Sequence, residues 1–131
     1  MKLYNMNELV IEKTYSTPFV HFSAQTGVMR IEGRSIPENP AVFYDPLVKW
    51  LHDYFQTTKA KTKFDIKLDY INSGSTKSIL GLLKELKQYY DKGCECQINW
   101  HFEEDDESIR DLGNHYKAVI KLPINLIEIY V

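Results

Sequence analysis

The most chemically suggestive stretch of the chain is Asn72-Ser73-Gly74-Ser75-Thr76-Lys77, hydroxyls and a lysine crowded behind an asparagine. Hydroxyls at the start of a helix have two uses. They accept hydrogen bonds from the unpaired N–H groups of the first turn, the ordinary capping role open to Ser73 or Ser75. They also suit phosphorylation, because a phosphate there meets free amides and the positive end of the helix dipole. It would add about −1.5 to −2 charge and so switch the surface rather than the fold. Both readings stand on these residues.

Two other polar clusters invite a role. Glu38 and Asn39 sit in Gly33-Arg34-Ser35-Ile36-Pro37-Glu38-Asn39. They either fix the chain into a following helix or touch a partner. Glu103-Glu104-Asp105-Asp106-Glu107 is either a solvated helix start or a surface for a basic partner that opposes an added phosphate. Lys77, one turn into its helix, is positioned to neutralise a phosphate or to meet a partner's carboxylate.

Other chemistry is poorly supported. Cys94-x-Cys96 with His101 lacks the two-residue spacing of a zinc knuckle, and on a strand His101 faces away from Cys96, so no metal is expected. The remaining histidines, His21, His52 and His115, are scattered over different elements. No nucleophile–base–acid set assembles around Ser73, which leaves a small Ser-dependent hydrolase or transferase as the weakest reading. Phosphate-binding glycine loops are absent, so no cofactor is expected. Trp50, Tyr54 and Phe55 fit a core helix better than a base-stacking platform.

These segments need elements to hold them. Residues 15–24 are β-branched and aromatic, and after a turn at Gln25-Thr26-Gly27 the chain continues as a second strand from Val28 to Gly33, an antiparallel hairpin. A proline-rich loop with Pro37 and Pro40 then leads to a helix over 45 to about 57, with Asp45 as N-cap and Pro46 in the first turn. In residues 63–71, Phe64, Ile66, Leu68 and Tyr70 alternate with Lys63, Asp65, Lys67 and Asp69, a strand with one wet face. A second helix carries Ile79, Leu82, Leu83, Leu86 and Tyr90 on its buried stripe, ends near Gly93, and contains Gly81, which suggests close approach to a neighbour. Residues 94–102 alternate again, with Cys96, Ile98, Trp100 and Phe102 inward. A third helix over about 106–117 and a last strand complete the chain, while residues 1–8 lack periodicity. The result is one α/β domain: a single mixed sheet of about five strands, order ββαβαβαβ, with helices packed mainly on one face. The loops at 33–39, 72–77 and 103–107 then meet at the carboxyl edge of the sheet.

Bulk composition agrees with a single core. The chain has 131 residues, 16 Lys+Arg against 18 Asp+Glu, and a net charge of −2. That balance offers no field for nucleic acid or an anionic membrane. No run of about 18 apolar residues spans a bilayer, and the first residues lack the apolar stretch of a signal peptide, so a cytoplasmic location with reduced cysteines is expected.

The motifs carry a resemblance. Tyr70-Ile71-Asn72-Ser73-Gly74-Ser75 resembles the Tyr-hydrophobic-Asn-Thr-Ser-Ser signature of SiaC-type bacterial regulatory phosphoproteins. Gly33 to Asn39 is similar to their Gly-x-Ser-x-Pro-Glu-Asn loop. Ile11, Thr14, Thr17 and Pro18 match their opening pattern, and the Trp100-to-Glu107 stretch resembles their Trp-aromatic-acidic segment. The likeness covers about residues 10–124, in order.

The resemblance implies a fold similar to STAS-type anti-sigma-factor antagonists, with a hydroxyl phosphorylated at a helix start. It implies a cognate ATP-dependent protein kinase and a metal-dependent PP2C-type phosphatase. The unphosphorylated form would bind and activate a diguanylate cyclase, raising cyclic-di-GMP and altering biofilm behaviour. Carried over residue by residue, the acceptor threonine falls on Ser73, with Ser for Thr at 73 and Gly for Ser at 74. Serine accepts phosphate, and Ser75 and Thr76 are the next hydroxyls in reach. Glu38, Asn39, Asn72, Gly74, Ser75, Lys77, Asp105 and Asp106 would form the loop and partner surface around Ser73. The alternative on the same fold is an anti-sigma-factor antagonist that regulates transcription by partner switching. The wet sheet face leaves room for a homodimer.

Overall fold

The computed structural model describes residues 8–57 and 61–130. Among them the order is β1 (Leu9–Ile11), β2 (Phe19–Phe22), β3 (Val28–Ser35), α1 (Pro40–Thr57), β4 (Thr62–Ile71), α2 (Ser73–Asp91), β5 (Cys96–Glu103), α3 (Glu107–Ile120) and β6 (Ile124–Ile129). The described strands form one six-stranded sheet in chain order. β1, β2 and β3 pair antiparallel, and β3 to β6 pair in parallel through the three helices. The mixed α/β architecture is as expected, with β1 added at the edge.

The pleat sets the layers. Phe64, Ile66 and Leu68 of β4 are buried between exposed Lys63 and Lys67, and Cys96, Ile98, Trp100 and Phe102 of β5 are buried in the same alternation. Against this face pack Leu47 and Leu51 of α1, Ile79, Leu82, Leu83 and Leu86 of α2, and Ile109, Tyr116 and Ile120 of α3, forming one core. The other face is polar: Asn99 donates to Asp65 at 2.9 Å, and Arg30 pairs with Glu32.

The structure corrects several boundaries. Helix α1 begins at Pro40 rather than at 45. Asn39, not Asp45, holds its first turn: the Val42 N–H reaches the Asn39 carbonyl at 3.2 Å and Oδ1 at 3.4 Å. Pro40 then occupies the first helical position, where its missing N–H costs nothing, and Pro46 lies inside the helix. The buried stripe of α2 ends on Tyr89 rather than Tyr90. Helix α3 continues to Ile120 and closes at left-handed Lys121 (φ 61°).

Tyr70 is not inward. Gly33 pairs with Leu68 but Arg34 with Tyr70, so β4 contributes one extra residue, Asp69, to that pairing. A bulge of this kind inverts the alternation beyond it, and Tyr70 is 63% exposed.

The close approach expected at Gly81 is absent, since a Cβ there would meet nothing within 4 Å. It occurs at Gly113, where a Cβ would stand 2.6 Å from Trp100 Nε1 and 2.7 Å from Leu126 Cδ2. Of the segment expected to lack periodicity, residues 1–7 lie outside the described residues. Glu8 is fastened by contacts with His21 Nε2 at 2.8 Å and Ser23 Oγ at 3.0 Å. No helix among the described residues is long and apolar enough to cross a membrane.

Candidate functional site

The parallel strands β3, β4 and β5 end at one edge, on Ser35, Ile71 and Glu103. There Asn72 joins two of the three polar segments. Its backbone N–H donates to the Ser35 carbonyl at 3.0 Å, and its Nδ2 donates to the Pro37 carbonyl at 3.0 Å. Its Oδ1 accepts from the Ser75 N–H at 2.9 Å, which makes Asn72 the N-cap of α2. The cap sought among the serines is therefore the asparagine.

This arrangement sorts the three hydroxyls. Ser73 is the first residue of α2, exposed, and its hydroxyl bonds to no described residue. Ser75 is fully buried, and Ser35 Oγ donates to its hydroxyl at 2.8 Å. Ser35 Oγ in turn meets Tyr44 OH at 2.6 Å, so three buried hydroxyls link β3, α1 and α2. With the Ser35 proton committed to Ser75, Tyr44 is the donor to Ser35. Burial pushes the Tyr44 hydroxyl up to about 12, which keeps that proton in place at neutral pH. Thr76 is half-buried, and its Oγ1 donates to the Asn72 carbonyl at 3.2 Å. The backbone carbonyl of Thr76 accepts from Tyr116 OH at 2.7 Å, which ties α3 to the first turn of α2.

Gly74 packs against the start of α1. A Cβ at 74 would lie 2.7 Å from Pro40 Cγ, in a ring with little freedom to yield. The two helix starts thus abut where residue 74 is glycine. Glu38 and Asn39 are exposed beside buried Pro37, with Asn39 spent on the first turn of α1. Lys77 is exposed and has no ion pair among the described residues.

The acidic run stands across a groove. Asp69, Tyr70, Thr76, Asp106, Ser108 and Leu112 line it, so the starts of α2 and α3 face each other. Asp106 is the N-cap of α3 and accepts from the Ile109 N–H at 3.0 Å. Glu104, Asp105 and Glu107 are exposed.

Elsewhere the cysteines offer little chemistry. Both are free, and burial pushes the Cys96 thiol up to about 12, far from a reactive thiolate. His101 faces Asp65 at 3.6 Å on the outer face. No group of three metal-ligating side chains occurs among the described residues.

Sequence reading overlooked Ser35 and Tyr44, because a serine in a polar loop motif gives no sign that it is buried. It also overlooked the outward turn of Tyr70, which depends on a register slip with another strand.

Comparison with known proteins bears on the whole domain. A model of the SiaC family of regulatory phosphoproteins matches residues 11–129. An uncharacterized protein of Pseudomonas aeruginosa (strain UCBPP-PA14) is 25% identical over 118 residues, covering 90% of this chain and 94% of that protein. Among solved structures, apo-SiaC from Pseudomonas aeruginosa superposes with a TM-score of 0.86 at 24% identity, over 93% of this chain and 99% of that one. The complex of the diguanylate cyclase SiaD with its activator SiaC, from the same organism, matches with a TM-score of 0.87 at 23% identity, over 92% and 99%. These structures share the fold.

Proposed function

The chain belongs to the SiaC family of regulatory phosphoproteins, and on that premise we propose that it is a non-enzymatic phospho-switch whose bare form binds and activates a diguanylate cyclase. In the related complex, SiaC is the activator of the cyclase SiaD; this chain takes the corresponding role in the cytoplasm, with cyclic-di-GMP and biofilm behaviour downstream.

The observation that carries the reading is the contrast among the hydroxyls at the start of α2. Ser73 is exposed and unbonded, Ser75 is fully buried, and Thr76 is engaged by its own helix. A kinase needs a hydroxyl that can leave the surface and reach the γ-phosphate, and Ser73 alone of the three is free to do so. Its cognate ATP-dependent protein kinase adds the phosphate, and a PP2C-type phosphatase removes it.

The physical effect is local. A phosphate on Ser73 meets unpaired amides and the helix dipole, so the fold tolerates it. It takes the net charge from −2 to about −4 at neutral pH. The charge is added at an edge where Asp105 and Glu104 are already exposed. A partner surface shaped for a bare hydroxyl, without a cation to pair the phosphate, must desolvate it at a cost of several kcal/mol.

Mass spectrometry after incubation with the cognate kinase and ATP is expected to find phosphate on Ser73. Phosphate on Ser75 or Thr76 alone overturns the assignment. Ser73→Ala is expected to bind the cyclase and ignore the kinase, whereas Ser73→Asp binds poorly.

A further inference from the structure

Large exposed hydrophobic side chains are few among the described residues, and most share one edge. Tyr15 (80% exposed), Val42 (70%), Tyr70 (63%) and Tyr130 (73%) belong to the carboxyl edge; Val10 and Val119 lie elsewhere. The topology explains the gathering. Tyr15 is on the β1–β2 connection, whose Ser16 carbonyl accepts from the Ile36 N–H just beyond β3 at 2.8 Å. Val42 is in the first turn of α1, Tyr70 is turned outward by the register slip, and Tyr130 follows β6. Aromatic groups held outward beside a regulatory hydroxyl mark an interaction surface.

Arg34 stands within this group. Its guanidinium carbon lies 4.8 Å from the centre of the Tyr15 ring and 5.5 Å from that of Tyr70. Two aromatic faces hold the planar group in place. The ion pairs of the described arginines involve Arg30 and Arg110, and none involves Arg34. This is so although Asp69, Glu103, Asp105 and Asp106 line the groove that Arg34 also borders. Its donors are therefore ordered and unspent.

We propose that Arg34, clamped between Tyr15 and Tyr70, anchors the docking surface by taking a carboxylate of the partner protein as a bidentate pair. The proposal rests on the partner-binding role given above. The guanidinium fork matches a carboxylate in geometry, and its order before binding reduces the entropy lost on association. Arginine and tyrosine are also the residue types that dominate interface energies. The acids that line the same groove repel a uniformly acidic surface, so the docking segment carries a basic side chain next to the carboxylate that Arg34 takes. Ser73 follows Tyr70 by three residues, no more than about 11 Å along the chain. That is comparable with the screening length in physiological salt. A phosphate on Ser73 then repels the carboxylate that must land on Arg34.

The test is titration calorimetry of the full, unphosphorylated chain against the diguanylate cyclase of its own organism. Arg34→Ala is expected to weaken binding roughly tenfold or more, with an unchanged circular dichroism spectrum. Arg34→Lys is expected to recover little, because an ammonium lacks the planar fork. Arg34→Ala binding as tightly as wild type overturns the anchor and leaves the partner reading intact. Full affinity in Arg34→Lys overturns the bidentate pairing. Failure of the wild-type chain to bind the cyclase overturns the partner reading and the anchor with it.

Discussion

Asn72 donates its Nδ2 hydrogen to the Pro37 carbonyl across 3.0 Å, so the residue that caps α2 also holds the loop that opens α1. A carboxamide carries its donor and its acceptor on separate atoms, so one short side chain can serve two directions at once. The acceptor serves the Ser75 N–H, and the donor serves the loop next to Glu38. A backbone bond from Asn72 to Ser35 adds a third tie. The segment bearing Ser73 and the loop bearing Glu38 are thus fastened into one surface.

Substitutions at Asn72 separate its two tasks. Asn72→Ala removes cap and clasp together and is expected to cost roughly 1–3 kcal/mol in urea denaturation. Asn72→Asp keeps the cap and places a negative charge where the helix dipole favours it, while losing the donor to Pro37. Its loss is expected to be smaller. Equal losses would mean that the cap contributes nothing here.

Ser35→Ala tests the buried hydroxyls. It leaves Tyr44 OH and Ser75 Oγ without the partner now 2.6 and 2.8 Å away. The expected cost is about 1–3 kcal/mol, the usual penalty for orphaned buried polar groups. Tyr44→Phe removes only the terminal hydroxyl and keeps the ring in the core, so it is expected to cost less, about 1 kcal/mol. The same denaturation series measures both.

Two glycines should respond oppositely to alanine. Gly81 is exposed and unobstructed, so Gly81→Ala is expected to stabilise by up to about 1 kcal/mol through helix propensity. At Gly113 the new methyl would collide with Trp100, whose Nε1 is fixed by a 2.8 Å bond to the Ile109 carbonyl. Gly113→Ala is expected to destabilise by about 1–3 kcal/mol. Thermal melts of the two variants should move in opposite directions.

The glycines also show where sequence stops being informative. Strand alternation in β4 and β5, and the leucine spacing of α2, were legible because each depends on neighbours in the same segment. The parallel pairing of β4 with β5 followed from the helix between them. Which glycine meets a neighbour depends instead on a partner far along the chain, Trp100 for Gly113. Tyr70 reads as inward in sequence for the same reason, since its direction is set by its pairing with Arg34 of β3. The start of α1 is a local matter, but Asn39-Pro40 and Asp45-Pro46 are equivalent start signals in sequence; the helix uses the first, where Pro40 also lies against Gly74. Ser73 and Ser75 look alike in sequence, and their burial distinguishes them.

Acid should loosen the edge strand before the core. Hydrogen bonds from His21 and then Ser23 hold the Glu8 carboxyl below its ordinary value of 4.5. With the folded value depressed, the latch contributes fully above the ordinary value and is lost as pH falls through the folded one. Glu8 adjoins β1, which is short and pairs only with β2 among the described strands, so it opens locally rather than with the whole domain. Amide exchange at Leu9 and Ile11 is therefore expected to accelerate on acidification relative to amides in β4. In Glu8→Gln, which cannot titrate at this position, those amides should exchange faster near neutrality and lose the acid-dependent step. An identical acid step in wild type and variant would assign the loosening to another group.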